Sequence, residues 1–246
     1  MKRVQYSIEI LELALKKSGH PYQLEKIRTP LLSENRSKNN LSQKKYDVHW
    51  LTANQSLESE LIPIPIPLCK GLMGWRLLFI RAESQQKFSA IKNLNDLGKL
   101  IAANGHDWPE SKLFEENQLN QRLATNWKSI FLMLGRERVD YISRSALEIF
   151  QEENAFPQLN IAIESDLVIH YPAAYYFYVD KSNQGLADII ESGLKIAIAD
   201  GSFDEVFNRY FSNEISRMNV AKRRLIEIPT SNKFKRHSNP EYWFSL

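Results

Sequence analysis

The sequence predicts an α/β fold built from parallel-sheet units. Helix-like and strand-like segments alternate along nearly all of the 246 residues, as they do in chains that repeat strand–helix–strand units. The composition is that of an ordinary globular protein, with 43% hydrophobic and 25% charged residues. No repeat, low-complexity tract or flexible linker interrupts the alternation. The chain is long enough for one large domain or two small lobes.

The elements follow from the pattern in chain order. Residues 5–18 form an amphipathic helix, because Leu11, Ala14 and Leu15 recur at helical spacing and Gly19 follows. In residues 106–117 we expect Asp107 to cap a helix that Pro109 begins. The other segments are predicted as strands over 22–32, 46–53, 74–82, 138–143, 159–165 and 171–180, and as helices over 33–45, 93–100, 126–135, 146–153, 183–200 and 203–211.

The stretch "ESELIPIPIPLCKGLMGWRLLFIRA", residues 58–82, has proline at every second position from 63 to 67 and glycine at 71 and 74. Proline cannot donate to a strand ladder, so this segment is extended but belongs on a sheet edge or a bridge. Two interpretations stay open. The chain crosses here between two lobes, or an edge strand is followed by a tight hairpin within one sheet.

Four stretches of the chain, taken in order, resemble the sequences of type II periplasmic solute-binding proteins. These proteins belong to the extracellular solute-binding family that includes the polar amino-acid receptors. The resemblance covers roughly residues 5–228, and "GLMGWR" and "VDYISRSALE" are more similar still to unassigned transporter substrate-binding-domain proteins. Its last stretch is the most specific. The four stretches are "YDVHWLT" with "ESELIPIPIPL", "IKNLNDLGKLIAANG", "GRERVDYIS" and "YYFYVDKSNQGLADIIESGLKIAIADGSFDEVFNRYF".

The resemblance implies two α/β lobes, joined by two extended crossovers, with a ligand cleft between them that closes by hinge motion. Lobe one is expected at residues 1–81 and 178–246, and lobe two at 82–177. The crossovers are expected near residues 77–84 and 171–179. Residues 229–246 are expected either to lie as an extended tail over lobe one or to be disordered.

The chain departs from the amino-acid receptors at both ends of the ligand. Where the family has an arginine for the ligand carboxylate this chain has Gln55, and where it has an aspartate for the ammonium this chain has Ser145. We therefore hypothesise that Arg76 and Arg144 contact a small polar or acidic ligand, with Glu148 orienting Arg144 from one helical turn on. The alternatives are an exposed ion pair for Arg144 and carbonyl capping at the bend for Arg76.

Three further residues are candidates for ligand contact. Trp50 and Thr52 end a predicted strand, and ligands of open α/β sheets sit beyond the carboxyl ends of strands. Trp108 precedes a predicted helix start, which is a natural anion site, and could stack over a ligand there. Core packing for Trp50 and an interface tryptophan at a capped helix for Trp108 are the alternatives.

The sequence contains few features that indicate an enzyme. It has no nucleophile elbow, phosphate-binding loop or dinucleotide fingerprint, and its five histidines show no metal-ligand spacing, so neither cofactor nor metal is expected. Cys69 beside Lys70, with His49 or His106 as base, would be the nucleophile of an unfamiliar enzyme. A lone cysteine in an apolar strand is more often a small hydrophobe.

The charge and the termini bear on partners and location. A net charge of +3 is too mild to indicate nucleic acid, and no apolar run is long enough to span a membrane. We expect a non-catalytic, monomeric component of an ABC-type transporter, in the periplasm after removal of a leader, with a cytoplasmic location as the alternative. The same fold also serves as a ligand-sensing input module for a signalling partner.

Overall fold

A computed structural model describes residues 2–29, 34–230 and 239–244 of the chain. Its helices are α1 Lys2–Ser18, α2 Glu34–Ser42, α3 Gln55–Glu58, α4 Gln85–Ser89, α5 Leu94–Gly98, α6 Pro109–Glu116, α7 Trp127–Gly135, α8 Ile149–Glu152, α9 Gln184–Ala199 and α10 Ser202–Met218. Its strands are β1 Val48–Thr52, β2 Leu61–Ile64, β3 Trp75–Arg81, β4 Ala102–Gly105, β5 Gln121–Ala124, β6 Tyr141–Ser145, β7 Ile161–Ile163, β8 Leu167–His170, β9 Tyr175–Asp180 and β10 Arg224–Glu227.

The chain forms two compact α/β units. Apart from the residues outside the described ranges, unit one comprises Met1–Gly71, Ala173–Asn213 and Asn232–Ser245, and unit two comprises Leu72–Pro172 and Glu214–Ser231. These bounds differ from the predicted division at residues 81 and 178. β3 belongs to unit two because it pairs with β6, β7 and β8, and β10 belongs there because it pairs with β8. The first connection lies at 71–72, before the predicted 77–84, whereas the second lies at 172–173, within the predicted 171–179. Among the described residues the chain passes between the units once more, at 213–214 in α10.

Unit one is built on an antiparallel sheet of order β1-β9-β2. β9 lies in the middle and is almost wholly buried, because β1 and β2 pair along its two edges. Two long helices, α1 and α9, pack closely against each other. Gly193 permits this approach, since a Cβ at that position would overlap the backbone carbonyl of Ala14. The predicted amphipathic first helix is confirmed, with Ile10 and Ala14 fully buried on its inner face.

The proline-rich stretch forms the edge strand β2, in which Pro63 pairs with Tyr178 of β9. An edge position tolerates a residue that has no N–H to donate on its open side. No hairpin follows, because β3 joins the sheet of unit two. The chain reaches the connection through Lys70 and Gly71, both of which adopt the left-handed backbone region, at φ 48° and 74°. Each of the two interpretations was thus correct in part.

The described C-terminal residues pack on unit one beside this connection. The Trp243 ring contacts the apolar core that includes Leu51 and Tyr178, and it fills the space that a Cβ on Gly71 would need. The backbone N–H of Phe244 donates to the carbonyl of Lys70 at 2.7 Å. The expected tail over unit one is therefore found for residues 239–244.

Unit two is built on a mixed sheet of order β10-β8-β3-β6-β4-β5, with β7 also paired to β3. β4 runs parallel to β5 and β6, and β8 runs parallel to β10. β3 runs antiparallel to β6 and β8, so its first residues lie beside the last residues of those strands. We name this side of the sheet, where β4, β6 and β8 end and β3 begins, the carboxyl edge.

Several element predictions were wrong or incomplete. Residues 22–29 contain no strand, and the rest of that predicted strand lies mostly outside the described residues. Pro109 begins α6, but Trp108, not Asp107, is the residue that precedes the helix, and it makes no side-chain capping bond. The short strands β4, β5, β8 and β10 were not predicted. Within the described residues, no helix combines the length and apolar character needed to cross a bilayer.

The contact between α1 and α9 predicts the effect of adding one methyl group. Gly193→Ala should lower the free energy of unfolding by about 3 kcal/mol, because overpacking against backbone outweighs the better helix propensity of alanine. Gly185→Ala is the matched control in the same helix, since a Cβ there meets no neighbour within 4 Å. Denaturant unfolding of both variants measures the difference. Equal stability of the two would show that the helices do not pack this closely.

The position of Trp243 predicts local protection of the Lys70–Gly71 bond. Trp243→Ala should speed tryptic cleavage after Lys70 several-fold, because it removes the ring that lies against Gly71. Mass spectrometry of a digestion time course identifies that cleavage among the others. Trp127→Ala, on α7 of unit two, is the control and should leave cleavage after Lys70 at the rate of the unaltered protein. An unchanged rate in Trp243→Ala would contradict the packing.

Candidate functional site

Four of the residues predicted to bind ligand lie at the carboxyl edge of unit two. Arg76 is the second residue of β3, Arg144 is the next-to-last residue of β6, and Glu148 follows that strand. Trp108 follows β4 and directly precedes α6. The topology explains why they meet, because the ends of β4 and β6 lie on the same side of the sheet as the start of β3.

Arg76 is 1% exposed and is held by the chain itself. Its Nη1 forms an ion pair with Oε1 of Glu110 at 2.6 Å and donates to the carbonyl of Met73 at 3.3 Å. Nη2 donates to the carbonyl of Ser143 at 2.9 Å, and Nε donates to the Ser143 hydroxyl at 3.3 Å. The expectation that Arg76 caps carbonyls near the bend is thus confirmed, and the guanidinium in addition has a carboxylate partner.

Tyr171, which directly follows β8, completes this first ion pair. Its hydroxyl donates to Oε1 of Glu110 at 2.9 Å, so the oxygen that accepts from Tyr171 is also the one paired with Arg76. Burial raises the pKa of the Tyr171 hydroxyl well above its ordinary value. The hydroxyl therefore stays protonated and remains a donor to Glu110.

Arg144 forms a second ion pair a short way along the edge. Its Nε donates to Oε2 of Glu152 at 2.7 Å and its Nη2 to Oε1 at 2.6 Å, which is the bidentate fork of an ideal arginine–carboxylate pair. Nη2 also lies 3.2 Å from Oε2 of Glu148. The predicted pairing of Arg144 with Glu148 is confirmed. The alternative of an exposed pair is wrong, because the two side chains are only 10% and 11% exposed.

Neighbouring carboxylates affect the pKa of Arg144 more strongly than its burial does. Burial alone would lower the pKa of the guanidinium, but the neighbouring carboxylates of Glu148 and Glu152 raise it above its ordinary value. The Trp108 ring covers one face of the guanidinium, with the Arg144 carbon Cζ 4.6 Å from the ring centroid. The ring lies so close to β4 that a Cβ on Gly105 would sit 2.5 Å from the indole nitrogen. Trp108 therefore stacks on Arg144 and on the backbone.

Three residues of this edge were not predicted from the sequence: Glu110, Glu152 and Tyr171. Glu152 lies eight residues after Arg144, too far along the chain for a pairing rule within one or two helical turns. Glu110 and Arg76 come from different elements, so only the sheet register brings them together. Ser145, for which the resemblance to the amino-acid receptors implied an aspartate, is fully buried and donates to the carbonyl of Leu72 at 3.2 Å. Its hydroxyl also accepts from the backbone N–H of Leu147, so it is hydrogen-bonded to the backbone.

The other predicted residues belong to unit one. Trp50 and Thr52 lie on β1, opposite Phe177 and Tyr175 of β9, and both are partly buried. The Trp50 ring lies 4.9 Å from the ring of His49. Gln55 begins α3, directly after Asn54, whose side chain accepts from the backbone N–H groups of Ser56 and Leu57.

The cysteine considered for catalysis lies in the interior of unit one. Cys69 is 3% exposed, as expected for a small hydrophobe. Its neighbourhood is structural, since the Tyr6 hydroxyl donates to the carbonyl of Leu68, and Lys70 forms an ion pair with Asp204 at 2.5 Å. Over the residues that the structure describes, no group of histidine, cysteine, aspartate and glutamate side chains could hold a metal ion.

A shallow groove lies elsewhere, along the outer side of α9 in unit one. None of the predicted ligand-binding residues lines it. The groove is bordered by Asp188, Glu191, Ser192, Lys195, Ile196 and Ala199.

The fold is that of periplasmic-binding proteins. Neither a family model nor a curated protein matches the sequence. An ancestral arginine-binding protein bound to arginine aligns with a TM-score of 0.59 at 16% identity, over 84% of this chain and 87% of its own. An amino-acid ABC transporter substrate-binding protein from Streptococcus pneumoniae, bound to L-arginine, gives 0.57 at 15% identity, over 84% and 82%. A histidine kinase sensor domain similar to periplasmic binding proteins gives 0.61 at 14% identity, over 83% and 85%.

These likenesses establish the architecture that the sequence predicted. At identities of 14–16% they concern the fold alone, the type II periplasmic-binding-protein architecture of α/β lobes. What the chain binds has to be argued from its own residues.

The burial of His49 predicts a pH dependence of stability. Burial lowers the pKa of the His49 imidazole from 6.5 to about 4. Between these values the unfolded chain binds a proton that the folded chain does not, so this histidine lowers stability as the pH falls from about 6.5 to about 4. The slope approaches about 1.4 kcal/mol per pH unit at most. Replacing His49 by Asn should flatten the dependence, as measured by urea unfolding from pH 7 to pH 4.

His106→Asn is the control for this measurement, because the His106 side chain is 58% exposed. This variant keeps His49, so the loss of stability between pH 6.5 and pH 4 should remain in it and be reduced only in His49→Asn. If His49→Asn and His106→Asn gave parallel curves, the imidazole of His49 would not be buried in its neutral form.

Proposed function

We propose that this protein binds a small polar solute without transforming it, as the substrate-binding component of an ABC-type transporter. The observation that carries the proposal is the position of Arg76, Trp108, Arg144 and Glu148. They converge at the carboxyl edge of a sheet, where ligands of open α/β sheets bind, in a fold that solute-binding proteins share. In this proposal binding of the solute is coupled to a hinge motion of the protein.

Binding rather than catalysis is supported by the chemistry of the chain. The one cysteine is buried, and the titratable groups of the carboxyl edge are engaged in ion pairs with each other. The structures cited above are described as binding proteins or as a sensor domain. In our proposal Trp50 and Thr52 also contact the solute, because Thr52 ends β1, Trp50 lies two residues before it, and both are only partly buried.

The proposed location and partner of the protein are those of a transporter substrate-binding component. A transporter component would act as a monomer in the periplasm and deliver its solute to a membrane permease. The likeness to a histidine kinase sensor domain favours a second function, in which ligand-dependent closure shifts the equilibrium of a signalling partner. Both functions need the same reversible binding step.

A ligand screen tests the binding step. Thermal shift and calorimetry against amino acids, amines, organic acids, sugars and short peptides should give one class of stabilising compound. At about a hundred times its dissociation constant, a ligand adds roughly 2.7 kcal/mol to the free energy of unfolding. Trp50→Leu should weaken binding of that compound at least roughly tenfold, about 1.4 kcal/mol, by removing an aromatic contact. No stabilising compound in the panel, or turnover of one that binds, would overturn the proposal.

Trp127→Leu is the matched control. Trp127 is a partly exposed tryptophan that begins α7 and packs against Phe131 and Phe156, and it is not one of the proposed contacts. This variant should bind the compound as the unaltered protein does. An equal loss of affinity in both variants would place the effect in general stability instead of in ligand contact.

A further inference from the structure

The two arginines of the carboxyl edge already hold carboxylates that belong to the chain. The Nε and Nη2 atoms of Arg144 form the side of the guanidinium that takes a carboxylate in two parallel hydrogen bonds. Glu152 occupies that side, at 2.7 and 2.6 Å. Each of the three nitrogens of Arg76 likewise donates within the chain, and its Nη1 is 2.6 Å from Glu110.

The formal charge of this group of residues is negative. Arg76 and Arg144 contribute +2, and the three carboxylates that face them contribute −3, which leaves −1. Glu148 lies 3.2 Å from Nη2 of Arg144, whereas Glu152 takes the bidentate side of that guanidinium. A cation that approaches this edge meets a net attraction, and an anion meets a net repulsion.

An anionic solute would also have to displace a partner that is already buried. For its carboxylate to take the bidentate side of Arg144, Glu152 would have to leave, and its side chain is only 16% exposed. A buried carboxylate without its partner is strongly unfavourable. The Trp108 ring blocks one face of the same guanidinium, 4.6 Å from Cζ.

We infer that Glu152 and Glu110 occupy the places a solute carboxylate would take, so the protein selects a small organic amine that has no free carboxylate. Glu148 is then the acceptor for the ammonium group of that amine. The inference rests on the proposed function and narrows its ligand class. It replaces the expectation of an acidic ligand, which required arginines open to the solute.

Matched pairs of compounds test the ligand class directly. Calorimetry should compare agmatine with arginine, cadaverine with lysine, and ethanolamine with serine, because each pair differs by one carboxylate. At least one amine should bind roughly tenfold or more tightly than its parent amino acid. Tighter binding of an amino acid or a dicarboxylate would overturn the inference and leave the proposed function standing. Binding of no compound in this or the broader panel would overturn both.

Chemical rescue tests the occupied arginine independently of the natural solute. Glu152→Ala removes the carboxylate from Arg144, so sodium acetate should raise the melting temperature of this variant above that in sodium chloride at equal ionic strength. Acetate should not do so for the unaltered protein. Glu153→Ala is the matched control, because the neighbouring Glu153 pairs with Arg217 at the surface, where the side chains are 39% and 41% exposed.

The rescue remains informative if Glu152→Ala does not fold in plain buffer. The readout is then its refolding yield with acetate against chloride, which acetate should increase. Equal behaviour in the two salts would overturn the inference, and so would an acetate effect of the same size in the unaltered protein. A selective effect on Glu152→Ala would show that the bidentate side of Arg144 is filled by Glu152.

Discussion

The ion pairs of Arg76 and Arg144 are the interaction on which unit two depends. They connect elements that the chain visits at widely separated points, namely β3, the start of α6, the end of β6 and helix α8. Tyr171 adds the residue after β8 to the same network through Glu110. A buried guanidinium is tolerated only where its donors are satisfied, so the network constrains the positions of all these elements together.

This constraint also connects the fold to the proposed function. Replacing a buried ion pair by apolar residues of similar size is often close to neutral, whereas removing one partner is costly. The pairs of Arg76 and Arg144 are therefore weak as a source of stability and strong as a means of fixing geometry. Because the charged side chains of this edge are already held in place, ordering them on solute binding costs little free energy.

Local patterns predicted much of the fold. The long helices α1 and α9 were found because their apolar positions follow the helical period over many residues. The pair of Arg144 with Glu148 was predicted from the spacing of one helical turn. The pair forms, but Arg144 lies in β6 and Glu148 in the turn before α8, so a helix is not what brings them together. Short strands such as β4, "AANG", were missed, since four small residues buried on both sides show neither alternation nor bulk.

Contacts between residues far apart in the chain could not be predicted, because they depend on the order and register of the strands. The partners Glu110 and Tyr171 are assembled by strand order and register, which no local spacing encodes. The division into units was misplaced for the same reason. The apolar strand β3 reads as a continuation of the proline-rich edge strand until its actual partners, β6 and β8, are known. The candidates that do lie together were found from different local signals. Arg76 was found from the glycine bend before β3, Arg144 from the end of β6 and Trp108 from the start of α6.

The connection at residues 70–72 shows how a few residues can separate two units and still be held in place. Lys70 adopts a backbone conformation that only glycine takes easily, at φ 48°. Its side chain is paired with Asp204, and its carbonyl accepts from Phe244. Gly71 then continues in the left-handed region, beneath the ring of Trp243. Strain at Lys70 persists because contacts on three sides determine it, so any hinge motion here must keep or exchange those contacts.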